Sequence, residues 1–141
     1  MGLRVRVRLE YKDRATELIV LANTGFEGDV PEILIPLAIA EYLKVWPNLP
    51  EDTLIETYRS ASGLMRVYRV RGAKVRLIVD DHRLYPVEAY LVISEYTDEA
   101  LINDQLISSL GIIIEDPAKG LWRLRGEEEI RIGEPPKIDY S

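Results

Sequence analysis

Few side chains in this chain of 141 residues could carry out chemistry, and their types exclude much at once. Cysteine is absent, which rules out disulfides, thiolate zinc sites and cysteine nucleophiles. The single histidine, His82, makes a Ser-His-Asp relay hard to assemble and removes His-rich metal sites. It lies in Asp80-Asp81-His82-Arg83, where two carboxylates and an imidazole could hold a cation but equally suit a polar hairpin turn. We read a turn there, and expect neither a metal nor a cofactor. Residues 57–76 contain Arg59, Arg66, Arg69, Arg71, Lys74 and Arg76 without a single acid, a local charge of +6 in a chain of net charge −6. Tyr58 and Tyr68 are interleaved with them, a mixture that suits base stacking and phosphate contacts. A solvated hairpin face, or a preference for acidic peptides, accounts for the same pattern. The acidic balance of the whole chain, with a pI near 4.9, argues against nucleic acid as the main partner. Glu127-Glu128-Glu129 reads as a solvated strand end.

The elements that must position these groups are mostly strands. Val5, Val7 and Leu9 alternate with Arg4, Arg6, Arg8 and Glu10, the period of a half-buried strand. Lys12-Asp13-Arg14 suits a hairpin turn, and Leu18 to Ala22 is a buried strand running into the tight turn Asn23-Thr24-Gly25. Ile33-Leu34-Ile35 is a short strand, and Pro36 stands at the first position of a short helix that ends before Pro47. Two hairpins come next: Leu54–Tyr58 with Met65–Val70, and Ala73–Val79 with Val87–Ile93. Thr97-Asp98-Glu99 caps a second short helix that stops near Leu110-Gly111. Ile112–Glu115 and Leu121–Leu124 pair across the turn Asp116–Gly120. The sum is one mainly β domain with two short helices, a barrel or a sandwich. At 47% apolar and 30% charged residues the composition is that of a globular domain, and no apolar run approaches a membrane span. The first residues alternate charge without an apolar stretch, so a cytoplasmic location is expected. One Gln, three Asn and many Arg and Glu point to a thermophilic source.

Leu21-Ala22-Asn23-Thr24-Gly25-Phe26 resembles the active-site loop of the retropepsin-like (clan AA) aspartic peptidases, whose signature is an apolar residue followed by Asp-Thr-Gly-Ala. A prokaryotic and archaeal subgroup carries Phe after the Gly, as Phe26 does here. The stretch from Leu101 to Ile112, with its two apolar residues, short helix and Leu110-Gly111-Ile112, is similar to the second block of that family. Tyr58 to Tyr68, around Gly63, falls where the family places its flap hairpin. The resemblance covers residues 3 to 125 and leaves 126–141 as a charged tail outside it.

The resemblance implies an acid-protease barrel acting as a homodimer, each chain supplying one loop to a site on the two-fold axis, with an extended peptide or protein as substrate. It places Asn23, Thr24 and Gly25 at the catalytic positions, and Phe26, Ser62, Gly63 and Leu64 against the substrate. Thr24 is then the residue that locks the two loops across the dimer, Gly25 offers its N–H, and Phe26 is either core or pocket wall. Two departures stand out. Asn103 replaces a Gly of the second block; Asn tolerates left-handed backbone better than other side chains, so it is expected to keep the fold. Asn23 replaces the catalytic Asp. Two carboxylates sharing a proton supply both base and acid in such a site, and an amide supplies neither. The expectation is therefore a peptidase scaffold that is inactive as written. A peptide-binding pseudo-enzyme and a nucleic-acid contact through the basic hairpin are the alternatives. Asp29 and Asp104, the nearest other carboxylates, read as a solvated loop residue and a helix cap.

Overall fold

Alternation decides the first element. In the computed structural model, which describes residues 2–60 (Ser60 without its side chain) and 63–136, β1 (Leu3–Tyr11) buries every second residue from Leu3 to Tyr11. Its other face carries arginines held by acids, with Arg4 on Glu99 at 2.6 Å and Arg6 on Glu17 at 2.9 Å. β2 (Arg14–Ala22) returns antiparallel across Lys12-Asp13. β3 (Glu32–Pro36) is buried throughout, because it pairs on both edges. Pro36 closes β3 and precedes helix α1 (Leu37–Tyr42) in an extended conformation, as its N-cap rather than its first helical residue.

The next strands differ from the sequence reading. β4 (Leu54–Ser60) pairs with β5, but β5 runs unbroken from Gly63 to Val79. The two expected hairpins thus share a single 17-residue strand. A register shift between Val70 and Ala73, at Arg71 and Gly72, bends β5 without ending it. Gly72 has φ +98°, a conformation that penalises any side chain. β6 (His82–Arg83) closes a tight turn on Asp80 and Asp81, both with positive φ, and β7 (Val87–Ser94) pairs with β5 and β3. His82 is exposed, and among the described residues no group of three or more His, Cys, Asp or Glu could hold a metal ion.

The second helix begins later than expected. Thr97 makes only a local turn with Glu99; Leu101–Ile102 is β8, and α2 (Asp104–Ser109) starts after Asn103. The physical reason is that Leu101 and Ile102 fill the gap between β2 and β3, so they must be extended. β9 (Ile112–Asp116), β10 (Leu121–Leu124) and β11 (Arg131–Ile132) form a separate 3-stranded sheet.

The 8-stranded sheet follows the order β1-β2-β8-β3-β7-β5-β4, with β6 on β5 off this path, and β1 also pairs with β5. That last pairing turns the sheet back on itself, giving a barrel-like rather than a sandwich arrangement. Closure is uneven: β1 pairs with only the second half of β5, while β4 hangs on the first half. Both helices bury a face against the core, through Ile39 and Ala40, and through Leu106 and Ile107. A smaller apolar cluster of Leu34, Val67 and Val92, with Phe26, Tyr58, Met65 and Leu101 packed against it, lies under the β4–β5 hairpin. No helix among the described residues is long and apolar enough to cross a membrane.

Candidate functional site

The loop after β2 is shaped by its own first residue. The side-chain oxygen of Asn23 accepts the Gly25 N–H at 3.0 Å, and the Asn23 carbonyl accepts the Phe26 N–H at 3.0 Å. This is the short-range turn chemistry that Asn and Asp share. Asn23 is half-buried, and Thr24 and Gly25 are exposed. Asn23 N–H donates to Ile102 O at 3.0 Å, so the loop hangs from β8, one residue before the cap of α2.

Asn103 fastens the far end of the loop. Its Oδ1 accepts from Glu32 N–H at 2.9 Å and from Leu106 N–H at 3.0 Å, while its Nδ2 donates to Val30 O at 2.9 Å. The residue is fully buried, with φ −85° and ψ 176°. It is extended, so the left-handed conformation expected of a glycine replacement does not arise; the side chain, not the backbone, is what this position uses. Asp104 adds its N–H to Phe26 O at 3.0 Å and accepts Gly28 N–H at 3.1 Å. It is the first residue of α2 and a loop ligand; the cap expected of it is supplied by Asn103. Gly28 is squeezed in turn, since a Cβ there would stand 2.9 Å from Asn103 Nδ2 and 3.2 Å from Glu32 Oε2.

Opposite the loop stands the β4–β5 hairpin. Between the two lies a cavity of about 600 Å³, walled by Gly25 to Val30 on one side and Glu56 to Arg59 on the other. Phe26 serves both proposed roles: half-buried in the smaller apolar cluster, it faces Tyr58 with ring centroids 6.0 Å apart and also lines the cavity. Gly63 and Leu64 are exposed and stand outside that wall, and Ser62 lies outside the described residues.

The inner end of the cavity carries a group that sequence reading missed. Glu32 is 4% exposed, yet it is a carboxylic acid. Its Oε1 accepts Tyr58 Oη–H at 2.8 Å and its Oε2 accepts Arg69 Nη2 at 3.1 Å. Arg69 also reaches Glu56 at 3.3 Å and stacks over Tyr90 at 4.2 Å. Burial pushes the Glu32 carboxyl above the usual glutamate range, against the pull of Tyr58 and Arg69. Burial and the adjoining carboxylate push the Tyr58 hydroxyl well above its ordinary value, so it stays a donor. Glu32 directly precedes the apolar run Ile33-Leu34-Ile35, where an acid reads as a solvated strand entry; nothing local marks it as buried.

The basic segment separates into two sets. Arg69 and Arg76 are occupied within the molecule, Arg76 by Glu10 at 3.2 Å, whereas Arg59, Arg66, Arg71 and Lys74 lie at least partly open to solvent. The uniform cationic stripe of the sequence is not a uniform cationic surface. Compared with known proteins, the chain matches no family model and no curated sequence.

Proposed function

We propose that the chain is a retropepsin-like aspartic endopeptidase scaffold, inactive as written, that binds an extended peptide between the β4–β5 hairpin and the Asn23-Thr24-Gly25 loop of a homodimer. One observation carries the reading. The two sequence blocks that resemble the family, 21–26 and 101–112, are hydrogen-bonded to each other through Asn23 to Ile102 and Asp104 to Phe26, beside a cavity overhung by the hairpin. Among the described residues β4 pairs only with β5, so its outer edge can add a peptide strand.

With Asp at position 23, two loops at a two-fold axis bring two carboxylates together. Their repulsion leaves one proton shared between them; the ionised member draws a proton from water as it attacks the peptide carbonyl, and the protonated member serves as acid. Asn23 keeps the turn, because its oxygen accepts the Gly25 N–H as a carboxylate would. It removes both base and acid.

Cleavage of a diverse peptide library from acidic to neutral pH, by the chain as written and by Asn23→Asp, tests this. Activity in the Asp form alone, blocked by a statine-containing peptide, is the expected result. If neither form cuts or binds peptide while both sediment as folded dimers, the scaffold reading is lost. If peptides bind with Asn23 in place and Asp adds no cleavage, the chain is a peptide-binding module.

A further inference from the structure

Glu32 takes no part in that chemistry, yet its side chain holds one wall of the cavity and its main chain is tied to the residue that fastens the other. Its carboxylate accepts from Tyr58 of β4 and Arg69 of β5, the two strands of the hairpin. Its own main chain is tied to the other side: Glu32 N–H donates to Asn103 Oδ1 and Glu32 O accepts Asn103 N–H at 3.1 Å. From Asn103 and Asp104 the contacts run on to Val30, Gly28 and Phe26. The Glu32 carboxylate also bounds the space beside Gly28 of the loop, where an added Cβ would stand 3.2 Å from Oε2. A buried ion pair is seldom required for stability, since apolar residues of equal volume do as well. Here two separate elements, a hairpin and a loop, are joined through one residue, the hairpin by its carboxylate and the loop by its main chain.

We propose that Glu32 is a positioning residue that couples the seating of the β4–β5 hairpin to the shape of the Asn23–Val30 loop. Both carboxylate oxygens act as charged acceptors here; Gln keeps one neutral acceptor for Arg69 and turns a donor toward Tyr58, whose hydroxyl must then accept instead of donate, so the charge assistance of both bonds is lost. The coupling stands on geometry alone. Its effect on peptide affinity rests on the function proposed above.

The charged and titratable groups around the carboxylate are Tyr58 and Glu56 on β4, Arg69 on β5, Tyr90 of β7 beneath the guanidinium, Asp104 at the start of α2, and Glu27, Asp29 and Arg59 at the cavity rim. Burial favours the neutral Glu32 carboxyl by more than Tyr58 and Arg69 favour the charged one, so the closed arrangement takes up its proton at milder pH than an opened one, in which Glu32 meets water.

Hydrogen exchange of the full chain decides the matter without a peptide. In Glu32→Gln and in Tyr58→Phe, protection of amides in 54–60 and in 23–30 is expected to fall together, by about tenfold, as for a lost charge-assisted bond. Glu10→Gln, an ion-paired acid elsewhere on the barrel, leaves both unchanged. After correction for intrinsic rates, protection of 23–30 in the unaltered chain falls as pH rises from the ordinary glutamate value through the raised value of Glu32, and this pH dependence is lost in Glu32→Gln, which a merely structural role would not produce. The proposal is overturned if 54–60 loosens while 23–30 keeps its protection, or if the pH dependence survives Glu32→Gln. Should Glu32→Gln fail to fold, Tyr58→Phe, which deletes one hydroxyl and no charge, decides alone. A second arm measures a statine-containing peptide on Asn23→Asp with and without Tyr58→Phe, where about tenfold weaker binding is expected. No binding to either form defeats the proposed function and leaves the exchange result standing.

Discussion

Asn103 shows how one side chain can stand in for a length of secondary structure. Its amide satisfies Glu32 N–H, Leu106 N–H and Val30 O, all in a fully buried position. Asn103→Ala strands all of these groups and removes the α2 cap, so a loss of about 3–5 kcal/mol in urea unfolding is expected. Asn103→Asp keeps the accepting oxygen but turns a second, charged oxygen toward the Val30 carbonyl in a fully buried place, so it is expected to cost about as much as Asn103→Ala, which marks the neutral amide as what this position uses. In the sequence Asn103 is visible as a departure from a family pattern, but its work is not. A cap is legible only when the helix start is known, and Thr97-Asp98-Glu99 offers an equally good local signal. Glu32 is illegible for a different reason: its partners lie 26 and 37 residues away, so no short-range pattern records its burial.

At the level of elements, alternation and turn residues give the strands their places, and long-range pairing sets their extent. β1 and the β9–β10 pair stand where their patterns put them. β5 does not break at Arg71-Gly72, because β7 pairs with it on both sides of that point. Gly72 tests what the bend costs. A Cβ there would meet Tyr11 only at 3.9 Å, an ordinary contact, so sterics are not the obstacle; the obstacle is φ +98°. Gly72→Ala is therefore expected to destabilise by about 1–2 kcal/mol through backbone strain alone. Calorimetry or urea titration measures it, and a neutral result would mean that the bulge relaxes.

For the whole molecule, two ion-paired acids pull stability in opposite directions with pH. Burial alone would raise the Glu10 carboxyl, but hydrogen bonds from Arg8 and Arg76 outweigh it and hold Glu10 below the usual range. The stability Glu10 contributes is complete above the ordinary glutamate value and is lost as pH falls through its lower folded value. Glu32 is raised, so between the ordinary value and its own the folded chain holds a proton the unfolded chain has released, and stability falls as pH rises through that window. Urea midpoints against pH should show Glu10→Gln flattening the acid limb and Glu32→Gln flattening the decline above it. The continuity of β5 has a bearing of another kind, on how such a chain can change by descent. Its first half belongs to the hairpin and its second to the barrel wall, and successive side chains face opposite ways. Inserting or deleting a single residue between the hairpin tip and the bend would turn Val67 and Arg69 to the wrong sides. Length changes in that arm are therefore tolerated in pairs or at the tip, and the bend at Gly72 is the place along the strand where an odd count can be absorbed.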